Sequence, residues 1–265
     1  MMVGRATTAL TSRRAASTGR KVLEVDRLGA GRCLRGLTFS AGAGEVVGLA
    51  GLLGSGAEDV FPALLGRSAT TGGSVRIRGR DVTHSSLRRR IRAGVAYVSG
   101  DRRSEGLVRA QTVAFNLALV LNNRVRLVPI SHRRQGRKVE EVISKLRILP
   151  ADPAALVATP AGGNQQKVVV GRWLLVEPHL WFLNDPTRGV DVHSREEIHA
   201  LVCEQVATKE SSALMTSSDT RELLEVCDRL LVLDHGEIVA ELDPTETTEH
   251  KVLALAGGAR SQGGR

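Results

Sequence analysis

Glu45-Val46-Val47-Gly48-Leu49-Ala50-Gly51-Leu52-Leu53-Gly54-Ser55-Gly56-Ala57-Glu58-Asp59 is a short apolar run that breaks into glycines and then into acids. Residues 45–50 predict a buried strand, because the run shows no polar face to water and ends at glycine. Residues 51–56 have the spacing of a phosphate-binding loop, G-x-x-x-x-G between strand and helix, with Gly51 and Gly56 at its ends. Such a loop gathers backbone N–H groups around an anion at a helix start, and glycine permits the turn and the close approach. The side chains that complete the loop are replaced. Ala57 stands where lysine would neutralise the outer phosphates, and Glu58 stands where serine or threonine would hold Mg2+. Asp59 adds a second acid. Carboxylates suit a helix N-terminus but repel a polyphosphate. Pro62, beyond the first turn, is expected to disturb the helix next to the loop. Taken alone, the stretch reads equally as a glycine-rich turn with no ligand.

Outward from this loop the chain keeps an α/β rhythm. Val75 to Val82 alternates and turns at Gly79, and Val95 to Val98 is a buried-strand candidate. Residues 138–147 place Val139, Val142, Ile143 and Leu146 on one helical face. Leu180-Trp181-Phe182-Leu183 reads as a central parallel strand. Arg195 to Thr208 predicts a helix and Ala213 to Thr216 another strand. Leu230 to Asp234 and Glu237 to Glu241 predict a closing hairpin turned at His235-Gly236.

Composition bounds the answer. The 265 residues suffice for one large α/β domain or two small ones. Aromatics are 3% of the chain, so the core has to be aliphatic. No apolar stretch approaches the roughly 18–20 residues of a membrane-spanning helix. Cys33, Cys203 and Cys227 are too scattered for a disulfide framework or a zinc site, and a reducing compartment is the default. The net charge of +9 collects in residues 1–21 and around Arg124 to Lys138; with few aromatics to stack bases, it does not point to nucleic acid. Residues 1–21, rich in Ala, Thr, Ser and Arg, read as a disordered basic tail or linker, and residues 257–265 as a frayed end.

Two further motifs carry chemistry. Pro160-Ala161-Gly162-Gly163-Asn164-Gln165-Gln166-Lys167 opens a helix on paired glycines, a second anion-facing start. Leu183-Asn184-Asp185-Pro186-Thr187-Arg188-Gly189-Val190-Asp191 puts acids at the end of a buried strand, where ligands bind in parallel sheets. Read separately, the first is an ordinary helix cap and the second a solvated loop. Read together they resemble the ATP-binding-cassette (ABC) ATPases that drive import of ribose-, galactose- and xylose-type sugars. Those proteins usually carry two cassettes in one chain. Tyr97-Val98-Ser99-Gly100-Asp101-Arg102-Arg103, with Gly106-Leu107-Val108, resembles a characteristic stretch of their second cassette. Met215-Thr216-Ser217-Ser218-Asp219 resembles the serine pair that replaces its switch histidine. The resemblance covers about residues 22–256.

That resemblance implies a P-loop NTPase fold of the ABC type, with a parallel core sheet, an antiparallel β subdomain and a helical subdomain over about residues 107–160. By position, Gly51, Gly54, Ser55, Gly56, Ala57 and Glu58 would form Walker A. Ala161, Gly162, Gly163, Asn164 and Gln165 would form the signature that faces a partner's nucleotide. Asn184 would end the Walker B strand, Asp185 and Ser218 would take the catalytic positions, Asp191 the D-loop acid, and Gly100 the Q-loop position. ATP and Mg2+ are the implied cofactors, with Glu58 and Asn184 as weak Mg2+ candidates. The implied partners are a second cassette, favoured as a heterodimer, a transmembrane permease, and indirectly a periplasmic or lipoprotein sugar-binding protein. The implied location is the cytoplasmic face of the membrane, peripherally bound.

The departures concern the chemistry. The family's second cassettes often have Arg where this chain has Ala57, keep Asp-Glu where it has Asn184-Asp185, have Leu-Ser where it has Pro160-Ala161, and have Glu where it has Gly100. No aromatic residue lies just upstream of the loop to stack adenine. Hydrolysis needs charge neutralisation, Mg2+ and an oriented water. Asn184 is neutral and Asp185 one methylene short, and a misplacement of about 1 Å costs about 10²-fold. The expectation is a site with little or no activity of its own. Glu58 has two readings: it could ligate Mg2+, or fold into the anion cradle and block it. Two functions stay open: an ATP-binding importer subunit with a degenerate site, and a non-catalytic cassette that only completes or regulates an intact one.

Overall fold

The computed structural model describes residues 19–124 and 132–258. The basic tail, as far as residue 18, and most of the end segment fall outside the described residues. In chain order the elements are β1 (Lys21–Ala30), β2 (Leu34–Gly42), β3 (Val46–Ala50), α1 (Ala57–Leu64), β4 (Thr70–Ile77), β5 (Arg80–Asp81), α2 (Leu87–Arg92), β6 (Val95–Ser99), α3 (Val113–Arg124), α4 (His132–Lys145), α5 (Gly162–Leu174), β7 (Leu180–Asn184), α6 (Val192–Thr208), β8 (Ser212–Thr216), α7 (Thr220–Val226), β9 (Arg229–Asp234), β10 (Glu237–Leu242) and α8 (Glu249–Ala256).

The main sheet runs β10-β9-β3-β8-β7-β6. Its strands are parallel except β10, which folds back on β9 through His235 and Gly236, both at positive φ. Side chains alternate across this sheet into two cores. Trp181, Leu183, Ala213 and Met215 face α3, α5 and α6. Phe182, Leu214, Val47 and Leu49 face α1 and a second, antiparallel sheet of order β2-β1-β4-β5. A sheet covered on both faces accounts for the unbroken apolar strands of the sequence.

The register positions the site. Leu49 pairs with Thr216, Asn184 with Thr216, and Ser99 with Asn184. The loops after β3, β6, β7 and β8 therefore leave one edge of the sheet side by side, at the C-terminal strand ends where such folds bind ligands.

The expected disturbance at Pro62 does not occur: α1 continues through it to Leu64. The helix is so short that the proline removes a single intrahelical bond, and its end is held from outside. Arg90, only 1% exposed, donates to the carbonyls of Leu64 at 2.5 Å, Ala63 at 3.3 Å, Thr83 at 2.7 Å and Ser85 at 3.0 Å. The bond to Leu64 satisfies a carbonyl that the last turn leaves orphaned, and those to Thr83 and Ser85 tie the segment after β5 to the helix end. Helices α4 and α6 begin at His132 and Val192, earlier than apolar spacing predicts. Asp191 explains the second: its carboxylate accepts the Ser194 N–H at 2.9 Å and caps the helix.

Arg90→Ala is expected to destabilise the chain by about 3–5 kcal/mol, since it strands several buried carbonyls. Arg90→Lys should recover little, because an ammonium cannot fork to the same acceptors. Urea unfolding of the three proteins checks both.

Candidate functional site

The glycine loop between β3 and α1 is held from two sides. The Gly236 N–H donates to the Ser55 carbonyl at 2.7 Å, and the Gly236 carbonyl accepts from Arg35 N–H at 2.9 Å. The β9–β10 turn and the start of β2 thus clamp the loop. Gly54 and Gly56 sit at φ 86° and 96°, which glycine adopts without strain. A Cβ at Gly56 would also meet the Gly236 Cα at 3.0 Å. Ala57 contributes a buried methyl to the core around α1. The Glu58 carboxylate turns back on the loop, and its Oε1 accepts the Gly54 N–H at 2.7 Å. Asp59 accepts a hydrogen bond from the Cys33 thiol; that bond and its charge push the thiol pKa up.

At the end of β7, Asn184 is engaged by its neighbours. Its Nδ2 donates to the Tyr97 hydroxyl at 3.1 Å, and its Oδ1 accepts from the Thr216 hydroxyl at 2.9 Å. Asp185 takes a left-handed conformation, φ 51°, and its Oδ1 accepts both the backbone N–H and the hydroxyl of Ser218, at 3.2 and 3.1 Å. The two residues at the expected catalytic positions are therefore brought together, and bonded to each other. Gly100 packs flat against this end: its N–H donates to the Asn184 carbonyl at 2.7 Å, and a Cβ would meet the Asp185 carbonyl oxygen at 2.5 Å. Ala57, Glu58 and Asn184 do not fit a Mg2+-triphosphate: Ala57 brings no charge to the loop, an acid occupies one of its donors, and the asparagine amide is committed elsewhere.

The start of α5, where the signature is expected, is built differently. Helix α5 starts at Gly162 with Ala161 as its N-cap; Ala161 makes no side-chain cap bond, and the first turn holds no acid. The side chains of Asn164 and Gln165 face the preceding loop. The Asn164 Oδ1 accepts from Leu149 N–H at 3.0 Å, and the Gln165 Nε2 donates to the Pro160 carbonyl at 3.0 Å. Gly163 permits close approach of α6: a Cβ there would meet Ser194 Oγ at 2.4 Å and Asp191 Oδ2 at 2.7 Å. Asp191 thus serves as the α6 cap beside the signature. The Ser194 bonds that cap the helix also hold its carboxyl below the usual range.

Sequence reasoning missed several residues of the site. Glu105, in the turn after β6, accepts from the Ser99 hydroxyl at 2.8 Å and from Tyr97 at 3.4 Å, so it reaches Asn184 through the tyrosine. Arg102 donates to the carbonyls of Arg188 at 2.7 Å and Gly189 at 3.1 Å, and its guanidinium lies against Gly162. Arg172, buried, donates to the Gly106 carbonyl, and burial pushes its pKa down to about 10. Glu222, 3% exposed, accepts from Thr187, from Ser217 and from His199 Nε2, the last at 2.5 Å. This buried carboxylate ties the loop after β7 to the loop after β8. Burial alone would raise its pKa, but the bonds from His199, Ser217 and Thr187 outweigh it and hold the pKa down. Only the stretch around Gly100–Gly106 carried a sequence signal; the other partners lie far apart in the chain.

Residues 34–188 match the ABC transporter family. The chain is 36% identical over 258 residues to a putative ribose/galactose/methyl galactoside import ATP-binding protein 1 of Rhizobium etli, covering 97% of this chain and 49% of that protein. It is also 36% identical over 257 residues to the ribose import ATP-binding protein RbsA of Corynebacterium glutamicum, again with 97% and 49% covered. The chain spans about half the length of these relatives. In fold it is similar to the ATP-binding cassette MJ0796, solved as a dimer bound to ADP and Pi. That match has a TM-score of 0.74 at 18% identity and covers 84% of this chain and 98% of that one. The ATP-binding cassette MJ1267, in its ADP conformation, gives a TM-score of 0.72 at 19% identity, with 89% and 95% covered.

Because Glu222 has a lowered folded pKa, its stabilisation is full above the unfolded value of about 4.3 and is lost as pH falls through the folded value. Glu222→Gln should cost about 2–4 kcal/mol at pH 7 and lose less than the parent on acidification. Denaturant midpoints measured from pH 7 down to pH 3 check both the size and the sign.

Proposed function

This chain belongs to the ABC transporter family, and on that premise we propose that it is an ATP-binding subunit of a sugar importer whose own phosphate loop is degenerate. It works with a transmembrane permease, at the cytoplasmic face of the membrane, and completes the ATP site of a second, intact cassette as a heterodimer. A sugar-binding protein delivers substrate to the permease. The names of its relatives support a ribose- or galactose-type sugar. Among the described residues no helix is long and apolar enough to cross a membrane, in keeping with peripheral attachment.

The observation that carries this reading is the contrast between two helix starts. Helix α1 opens with Glu58 and Asp59 in its first turn; helix α5 opens with no acid there, and neither start carries a side-chain cap. Free N–H groups and the positive end of the macrodipole make a helix start an anion site, and first-turn carboxylates cancel it. The first is therefore a poor place for a phosphate and the second a good one. ATP bound on an intact partner supplies the bond to be cleaved. The residues of this chain orient it: the N–H groups of Gly162 and Gly163 would face the terminal phosphate, while Arg102 and Asp191 fix the neighbouring loop. Ala161 supplies no serine hydroxyl, so the backbone carries the interaction. A purely regulatory cassette is the second reading, supported by the engagement of Asn184 and Asp185 with their own neighbours.

The chain alone is expected to turn over no ATP, and mixing with an intact first cassette should form a complex with raised ATPase activity. Ala161→Asp separates fold from function. An aspartate N-cap should stabilise α5 by about 1 kcal/mol. The same charge at the helix start should lower the stimulated rate at least about tenfold. A mixture with neither complex nor stimulation would sink the proposal.

A further inference from the structure

We infer that Glu58 is the resident anion of the phosphate cradle, a specificity-determining residue that keeps triphosphate out of this loop by charge rather than by shape. The inference rests on the proposed reading of residues 51–58 as a degenerate phosphate loop. Of the two roles the sequence leaves open for Glu58, the geometry points to the second.

The first support is the bond itself. The Glu58 Oε1 lies 2.7 Å from the Gly54 nitrogen, the length of a charge-assisted hydrogen bond. Gly54 lies in the stretch whose N–H groups would otherwise gather on a phosphate oxygen. The second is the openness of the loop. A Cβ built at Gly54 meets nothing within 4 Å, and neighbouring Leu53 is 98% exposed. The space over Gly54 is open, and the side-chain oxygens that take up donors of the loop are Glu58 at Gly54 and the Ser55 hydroxyl, which accepts the Ala57 N–H at 3.3 Å. The third is the charge balance. Ala57 is buried and neutral, while Glu58 and Asp59 both sit in the first turn of α1. A phosphate entering the cradle has to displace one carboxylate and lie beside another. The resident carboxylate is attached four residues away and competes at the high effective concentration of an intramolecular ligand. The loss of lysine weakens phosphate binding; the gain of Glu58 opposes it.

These two defects respond differently to substitution. The full chain is titrated by calorimetry with inorganic phosphate, ADP and Mg-ATP. Glu58→Ser, which frees the Gly54 N–H, is expected to raise affinity for ADP and Mg-ATP at least about tenfold over the parent. Ala57→Lys with Glu58 retained should give less than this, because the new ammonium pairs with the resident carboxylate. The reverse order, a large gain from Ala57→Lys and none from Glu58→Ser, would overturn the inference. Should Glu58→Ser fail to fold, Glu58→Gln is compared with the parent by nitrogen-15 NMR. The Gly54 amide proton of the parent is expected downfield, as for a donor to a carboxylate, and should move upfield in the variant; no movement overturns the inference. None of these arms contains another cassette, so a failed pairing experiment leaves them intact. Conversely, a successful pairing with no gain from Glu58→Ser would remove only the role of Glu58.

Discussion

Everything at this site hangs on the parallel register of β3, β8, β7 and β6. Thr216, Asn184 and Ser99 end their strands in one row, level with Leu49, one residue before the end of β3. Each loop beyond a strand then starts beside its neighbour, and polar groups meet that are far apart in the chain. Backbone bonds fasten the row: Gly100 N–H to the Asn184 carbonyl at 2.7 Å and Asp185 N–H to the Thr216 carbonyl at 2.9 Å. A one-residue slip in a strand would turn its alternating side chains to the opposite core and dissolve the arrangement. The aliphatic packing of the two cores thus fixes where the charges stand.

Within that register, the polar groups at the strand ends satisfy one another. Glu58 bonds to Gly54, Asn184 to Tyr97 and Thr216, and Asp185 to Ser218. For half-buried Asn184 and Asp185, a polar group without a partner is costly, so these bonds are retained. The signature end obeys the opposite rule. Ala161 caps nothing, and α5 begins on Gly162 and Gly163 with no acid in its first turn. The two helix starts thus differ in first-turn charge, and the proposed lending of a half-site to a partner rests on that difference.

Much of the scaffold was legible in the sequence, for physical reasons. Strands buried on both faces must be apolar throughout, so β3, β6, β7 and β8 announce themselves, and His235-Gly236 is a turn only a few residue types allow. Strands β1 and β2 escaped because their pairing is broken by register shifts, which spoil the alternation that marks a half-buried strand. Helix α3 escaped because its apolar residues leave no clear polar face; Asn116, buried within it, bonds to the loop around Val108. At the site, the loop spacing named Glu58 and the family resemblance named Asn184, Asp185 and Ser218, but neither says what their side chains touch. His199 and Glu222 stand 23 positions apart, and only the packing of α6 beside α7 joins them. Glu105 and Arg102 share one π-helical turn after β6, where neither the α-helical nor the strand period applies.

The central claim is that this chain lends a helix start to a partner's nucleotide and holds none on its own glycine loop. The most direct measurement is a structure of the chain paired with an intact cassette in the presence of Mg-ATP and a hydrolysis-blocking substitution in the partner. The account predicts nucleotide density on the partner's loop against Gly162 and Gly163, with the Glu58–Gly54 bond still closed. Nucleotide seated on residues 51–58, with Glu58 swung away, would contradict it.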